Sequence, residues 1–335
     1  MNAPLVTVIM AVYNAESYLR RCLDSLQAQT LKDFDVIVVD DGSTDSSLTI
    51  AKEYARQDSR FRVFHKENGG VSSARQYGIE LLEKIGGKYS IHVDPDDWVE
   101  PQMFEKMWKK AEETGADMVI CDYFCDSKMR QTVKRQNPRS EDPIHVRNAL
   151  FQGLHGSLCN KLIRSACYKE AAVKFPDGLN YCEDLFVNIC ILQESIRKVV
   201  YLPEAFYHYD NYSNQQAETR KTDSLHVNNT RMEIIKRCRE IVPNSEQSWQ
   251  FHMFEARMAF GIIVRGNLAK EEFKSFFKKI PVSLLLHSGC YSYPILLTLL
   301  VVHTPLSPNL VSDFFRRYMS FRHFCANLLE NKGIN

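Results

Sequence analysis

The chain has 335 residues, 44% of them hydrophobic, and a formal net charge of +1. That length predicts about two domains, and the near-neutral charge argues against nucleic acid as the main partner. Ten cysteines without a Cys-x-x-Cys pair favour buried reduced thiols over a zinc site, and so predict a reducing compartment.

Residues 1–122 alternate between strand-like and helix-like patterns. Val6–Met10 predicts a buried first strand. The residues just before it are not basic, which argues against a signal peptide. Further strands are predicted at 36–39, 62–64, 89–93 and 118–121, with apolar residues at helical spacing between them. This alternation predicts an α/β fold, a mostly parallel sheet flanked by helices. The turn after the first strand has no Gly-x-Gly-x-x-Gly, which argues against a dinucleotide site.

The later part of the chain changes character. Residues 126–142 are polar and predict a surface loop, and globular patterning returns from 146 to 212. Helices are then predicted at 225–241, 245–263 and 270–279. No stretch reaches the roughly 18 apolar residues of a membrane-spanning helix. We therefore expect a helical C-terminal region, residues 213–335.

Two apolar runs end abruptly in carboxylates. Asp40 and Asp41 close the second strand, and Asp94 and Asp96 close the fourth. Residues i and i+2 of a strand share a face, so Asp94 and Asp96 can converge on one hard cation such as Mg²⁺ or Mn²⁺. Ordinary turns also carry such acids, and that alternative stays open for both pairs.

Two further candidate sites lie in the second half of the chain. Glu183 and Asp184 precede an apolar helix, either as acids that favour a helix start or as a general base beside the metal site. His208 lies in a Tyr-His-Tyr run, either as a packed core histidine or as a third metal ligand.

In this order these pieces resemble family 2 of the inverting glycosyltransferases, whose GT-A fold has a Rossmann-like sheet that binds nucleotide-sugars. The similarity covers about residues 5–212. The matching blocks are residues 8–14, 25–45, 68–75, 94–98, 159–162, 175–184 and 207–209. Ala11 stands where the family usually has proline, Gln76 where asparagine is common, and Asp210 where an arginine often follows Tyr-His-Tyr. An acid at 210 would repel phosphate.

The resemblance implies roles for individual residues. Nucleotide-sugar contacts would fall on Ala11, Tyr13, Asp40, Asp41, Asn68, Gly70, Arg75, Asp94 and Lys161. The metal would be held by Asp96 together with Asp94 and His208, with Asp97 in support. Asp184 would be the catalytic base, and Glu183 would orient it or the acceptor.

The implied activity is an inverting, Mn²⁺- or Mg²⁺-dependent transfer of a hexosyl or N-acetylhexosaminyl group from a nucleotide-sugar. We expect a UDP-sugar donor, and as acceptor a hydroxyl of a saccharide or lipid-linked saccharide in bacterial cell-surface polysaccharide synthesis. One alternative is an inactive nucleotide-sugar-binding protein. A sugar nucleotidyltransferase is a weaker alternative, because no Gly-rich basic loop follows the first strand.

The resemblance also divides the chain. Residues 1–212 would be the GT-A catalytic domain, with a nucleotide-sugar-binding half (1–122) and an acceptor half (123–212). In the C-terminal region, the basic and aromatic Lys270–Lys279, the apolar 294–302 and Arg316–Tyr318 suggest a patch on an anionic membrane. Packing on the catalytic core or on a second subunit of a homodimer is the alternative. We expect a cytoplasmic protein, peripheral at the inner face of the plasma membrane.

Overall fold

A computed structural model describes residues 3–214, 224–244, 248–265 and 270–281, and beyond them positions 298, 301–304, 307–308 and 311. The chain divides into two compact units, Met1–Arg220 and Lys221–Asn335.

The first unit is built on one mixed sheet. Its strands are β1 (Val6–Val12), β2 (Phe34–Asp41), β3 (Phe61–Lys66), β4 (Tyr89–His92), β5 (Trp98–Val99), β6 (Met118–Asp126), β7 (Gln131–Lys134), β8 (Lys161–Arg164) and β9 (Val199–Asp210). Its helices are α1 (Leu19–Gln27), α2 (Ser47–Gln57), α3 (Val71–Ile85), α4 (Met103–Thr114), α5 (Pro143–Gln152), α6 (Ala166–Glu170) and α7 (Glu183–Glu194).

The strand order is β3-β2-β1-β4-β8-β6-β9-β5, with β7 paired to β6. Strands β1 to β4 are parallel neighbours, as are β6 and β9, whereas β5, β7 and β8 pair antiparallel. The structure thus confirms the α/β class. β1 and β2 are nearly continuous apolar runs and are almost entirely buried, as expected of strands that are covered on both faces. Parallel strands bring the acids that end β2 and those that follow β4 to one edge of the sheet.

The predicted polar loop at 126–142 contains a strand. β6 runs on to Asp126, and β7 returns beside it after a turn in which Ser127 N donates to Arg130 O at 3.0 Å. The side chains of β7 are mostly exposed, so the segment lacks the apolar alternation that marks a half-buried strand.

Strand β9 is irregular where it passes β6. Cys121 pairs with Leu202 but Asp122 pairs with Ala205 and Tyr123 with Tyr207, so β9 carries extra residues at this point. Such bulges change which side chains face each side of a sheet. Beyond the bulge, β9 delivers its last residues to the edge that carries the acids.

The second unit is helical in its described part. It contains α8 (Ser224–Ile241), α9 (Trp249–Arg265) and α10 (Lys270–Phe277). The Arg239 guanidinium of α8 pairs with the buried Glu255 of α9 at 2.6 Å. Within the described ranges, no helix is both long and apolar enough to cross a membrane. Arg316–Tyr318 and most of the apolar stretch at 294–302 lie outside the described residues.

Candidate active site

Arg75 lies at the centre of an acid cluster that joins distant parts of the chain. Its Nη2 donates to Asp94 Oδ1 at 2.7 Å, and its Nη1 donates to Asp184 Oδ1 at 2.6 Å and to Glu183 Oε1. Only 5% of the Arg75 side chain is exposed. Helix α3 supplies the arginine, the end of β4 supplies Asp94, and the start of α7 supplies the other two acids. The structure therefore brings four predicted site residues into one contact group.

Burial and mutual repulsion set the pKa values in this cluster. Burial raises the pKa of Glu183 to about 7; the Arg75 charge opposes this rise and Asp184 adds to it. Burial likewise raises the pKa of Asp184, against the opposing charge of Arg75. For Asp94 burial acts in the same direction, but the charge and hydrogen bond of Arg75 outweigh it, so its pKa is lowered. Asp94 is thus the acid most firmly held as a carboxylate.

The second carboxylate oxygen of Asp184 makes only long contacts. Ser157 Oγ lies 3.4 Å and Leu158 N 3.3 Å from Oδ2. Lys161, fully buried, supports this turn by donating from Nζ to Ser157 O at 2.6 Å and His155 O at 2.8 Å. Burial lowers the pKa of Lys161 to about 8. Its ammonium faces the main chain, and its contact with a nucleotide-sugar stays a prediction.

The predicted nucleotide residues lie near the ends of β1 and β2. Both oxygens of Asp41 are engaged, with Lys66 Nζ at 2.7 Å, Gly69 N at 3.0 Å and Gly70 N at 2.8 Å. Asn68 donates to the Asp41 carbonyl at 2.9 Å. Asp41 therefore shapes the glycine loop that precedes α3.

Asp40 is placed differently from its neighbour. It is fully buried; its Oδ2 pairs with His65 Nδ1 at 2.6 Å, while Oδ1 has no hydrogen-bond partner. A buried acceptor without a partner carries a desolvation cost, and Asp40 bears that cost at Oδ1. Ala11 lies near the end of β1, and Tyr13, which follows the strand, is 51% exposed.

The loop after β4 holds the remaining acids. Asp97 is buried and accepts hydrogen bonds from Tyr207 OH at 2.5 Å and Asp210 N at 2.8 Å. Asp96 accepts from Asn214 at 2.9 Å. Burial and the charge of Asp94 raise the pKa of Asp96, and burial with the charge of Asp96 raises that of Asp97.

His208 contacts side chains other than Asp94 and Asp96, and its role as a metal ligand stays a prediction. Its ring stacks between Trp98 and Phe124, with ring centroids 4.7 Å and 4.5 Å away. Its Nδ1 lies 3.0 Å from Asp126 Oδ2, and its Nε2 lies 3.0 Å from Glu100 Oε1. Both ring nitrogens are thus engaged by other side chains.

The acid loop fits a divalent cation only in part. Among the described residues, no group of three His, Cys, Asp or Glu side chains could hold a metal ion. Yet Asp94 and Asp96 raise the local negative charge enough to shift a neighbour's pKa, and Mg²⁺ is often held by one or two carboxylates plus substrate phosphates. The residues therefore suit an ion that binds together with a diphosphate.

Arg21 is a contact that the sequence did not suggest. From α1, its Nη2 donates to Asp96 O at 2.6 Å and to Asp210 Oδ2 at 2.7 Å, and its guanidinium lies 4.0 Å from the Trp98 ring centre. Asp210, which we expected to repel phosphate, is thus paired with a cation. The two residues are 189 positions apart, too far for any local pattern to reveal the contact.

Comparison with known proteins gives a family match over part of the chain. Residues 7–171 match the model described as Glycosyl transferase family 2. The putative glycosyltransferase EpsH of Bacillus subtilis is 38% identical over 217 residues, which are 62% of this chain and 61% of that protein. The minor teichoic acid biosynthesis protein GgaB of Bacillus subtilis is 31% identical over 251 residues, 72% of this chain and 27% of that protein. The chain thus spans less than two thirds of either relative.

A solved structure shares the fold. The structure of S. aureus TarS 1–349 in complex with UDP-GlcNAc matches with a TM-score of 0.69 at 18% identity and covers 93% of this chain and 91% of that one. This likeness confirms the GT-A architecture expected from the sequence. In residues 7–171 the chain therefore carries a domain of glycosyltransferase family 2.

Proposed function

We propose that residues 1–212 form the catalytic unit of an inverting glycosyltransferase, with residues 1–122 binding the nucleotide-sugar and residues 123–212 binding the acceptor. The observation that carries the proposal is the bridge made by Arg75, whose guanidinium binds Asp94 at 2.7 Å and Asp184 at 2.6 Å. This contact supports the proposal, because the candidate base and the candidate nucleotide-sugar acid bind the same guanidinium.

The donor in this proposal is a UDP-sugar that carries a hexosyl or N-acetylhexosaminyl group. The exposed ring of Tyr13, with Ala11, would pack on the base. Asp41 would line the base pocket and shape the loop of Asn68 and Gly70, and the buried Asp40 is the weaker candidate for a nucleoside contact. The acceptor would be a saccharide or lipid-linked saccharide in cell-surface polysaccharide synthesis, a setting that the name of GgaB supports.

Asp184 would act as the general base. Its Oδ1 is fixed by Arg75, so Oδ2, with contacts of 3.3 Å or longer, is the oxygen that would take the proton of the acceptor hydroxyl. The raised pKa makes this carboxylate a stronger base. The hydroxyl oxygen then bonds to the anomeric carbon as the bond to the diphosphate breaks on the opposite face, which inverts the centre.

Asp96, with Asp94, would hold a Mn²⁺ or Mg²⁺ ion that offsets the charge of the leaving diphosphate. Peripheral contact with an anionic membrane through the C-terminal region, a homodimer and a cytoplasmic location remain our proposals for the whole protein.

Asp184→Asn tests the role of the base. We expect sugar transfer to fall by roughly 10²–10⁴-fold, because a neutral amide cannot accept the proton, while UDP binding stays close to that of wild type. Release of UDP from a panel of UDP-sugars, with and without saccharide acceptors, measures transfer. The matched control is Asp177→Asn, which changes an exposed acid in the segment that leads to α7. Wild-type transfer by Asp184→Asn would disprove the assignment.

The same panel addresses the inactive-protein alternative. A nucleotide-sugar-binding protein without activity would bind UDP-sugars but release no UDP from any of them, with or without acceptor. The combination of Asp94, Asp184 and Arg75 in one group favours the enzyme, because a binding protein has no need for a base.

A further inference from the structure

The two arginines near the acid cluster differ in how exposed they are and in how many carboxylates they bind. Arg75 is nearly fully buried and shared among three carboxylates. The Arg21 side chain is 35% exposed and pairs with a single carboxylate, that of Asp210. Its Nη2 is used by Asp96 O and Asp210, while Nη1 makes no hydrogen bond within the part of the chain that the structure describes. Arg21 therefore keeps an Nη1 group that no other described side chain or carbonyl engages.

The surroundings hold Arg21 in one orientation. Its guanidinium stacks over Trp98 at 4.0 Å, and the Asp210 side chain that anchors it is 0% exposed. Asp210 is in turn fixed by hydrogen bonds from Tyr212 N and Ser213 N, each at 2.9 Å. The guanidinium is thus fixed in advance, which reduces the entropy lost when it binds a ligand.

The position of Arg21 relates it to the metal side of the site. Its bond to the carbonyl of Asp96 places the guanidinium beside the residue proposed to hold the cation. A planar guanidinium with free N–H groups matches the oxygens of a phosphate. Where the resemblance leads us to expect an arginine after Tyr-His-Tyr, this chain has Asp210, and Asp210 binds an arginine from α1 instead.

We propose that Arg21 is a diphosphate-binding residue, which donates from Nη1 to the nucleoside diphosphate while Asp210 and Trp98 hold its guanidinium in place. The inference rests on the proposed function. It adds to that function a positively charged side chain that comes from α1. Arg21 would also stabilise the negative charge that develops on the departing diphosphate.

Binding of UDP and of uridine, a phosphate-free reference, tests this role. By calorimetry in the presence of Mn²⁺, we expect Arg21→Ala to weaken UDP binding about tenfold or more, since a charge-assisted hydrogen bond is lost, and to leave uridine binding close to wild type. Arg21→Lys keeps the positive charge but loses the planar guanidinium. Its UDP affinity should therefore lie between those of Arg21→Ala and wild type. Arg20→Ala, which removes the neighbouring surface arginine, is the matched control and should match wild type.

The outcomes separate the inference from the function on which it rests. Unchanged UDP affinity in Arg21→Ala, or an equal loss for UDP and uridine with a lower melting temperature, would overturn the inference and leave the proposed function standing. If wild type prefers another base, the corresponding diphosphate and nucleoside replace the uridine pair. If wild type binds none of UDP, GDP, CDP or dTDP, the proposed function fails and the inference falls with it.

Discussion

Arg75 shows how a single residue can hold three acids together. Glu183, Asp184 and Asp94 contact one guanidinium, yet their pKa values shift in different directions. Burial penalises every carboxylate in the group, and one cation cannot fully compensate three of them. Burial raises the pKa of Glu183 to about 7, so Glu183 keeps its proton to near-neutral pH and lowers the negative charge of the cluster.

The pH dependence of stability tests this residue-scale picture. Burial raises the pKa of Glu183 from 4.5 to about 7, so the folded state keeps a proton that the unfolded state has released. The associated stability is complete below the unfolded value and is lost as pH rises through the folded value. We expect Glu183→Gln to flatten the fall in unfolding free energy between about pH 5 and pH 7.

Urea denaturation at several pH values would measure this effect. Glu113→Gln, which alters an exposed glutamate on α4, should keep the wild-type slope. Equal slopes for wild type and Glu183→Gln would contradict the assignment of the proton to Glu183.

Helix α3 connects the packing of the sheet to the site. It carries Arg75, and one turn later Gly78, where an added Cβ would lie 2.5 Å from Ile9 Cγ2 and 3.8 Å from Val39 Cγ2. The glycine thus allows the helix to pack closely on β1 and β2. Without that approach, the arginine would be lifted away from its carboxylates.

Gly78→Ala tests the close packing of this element. Helix propensity alone would favour alanine by about 1 kcal/mol, but overpacking a close contact costs about 1–3 kcal/mol. We expect a net loss of unfolding free energy, measured by urea denaturation. In Gly78→Ala with Ile9→Ala the combined loss should be smaller than the sum of the two single losses, since the second change removes the clash. Glu83→Ala, an exposed change on the same helix, should have little effect; a loss as large as that of Gly78→Ala would contradict this account.

At the scale of elements the sequence predicted what local patterns encode. The apolar composition of β1, β2 and β4 was enough to predict these strands. The places where the apolar runs stop predicted that the acids at the ends of β2 and β4 lie at the edge of the sheet. Strand β7 was missed because its polar, exposed side chains carry no alternation. The pairing of Arg21 with Asp210 was missed because nothing local links α1 to the end of β9.

For the whole molecule, thermal stability should respond to metal and nucleotide together. Since no described group of three side chains could hold a metal on its own, we expect Mn²⁺ alone to shift the melting temperature little. UDP with Mn²⁺ should raise it by more than the sum of the separate shifts, because the ion and the diphosphate complete each other's coordination. Differential scanning fluorimetry with an EDTA control measures this, and Asp96→Asn should abolish the excess. Purely additive shifts in wild type would count against a shared ion.

The family could be recognised from the sequence because several weak motifs occur in a fixed order, whereas the position of His208 depends on how two strands pair. Its two stacking partners come from β5 and β6, and the ring sits where the register of β9 puts it. No single-residue pattern specifies such a register, so the sequence could not decide whether His208 is a packed histidine or a metal ligand.

The bulge in β9 limits how this lineage can change in length. Between Leu202 and Tyr207 the strand gains residues relative to β6, and the surplus decides that Tyr207 meets Asp97 while His208 lies between its aromatic neighbours. Losing or gaining one amino acid there would exchange those two orientations. Insertions and deletions should therefore accumulate in the hairpin around Ser127 during divergence, and selection should remove them from the kinked stretch of β9.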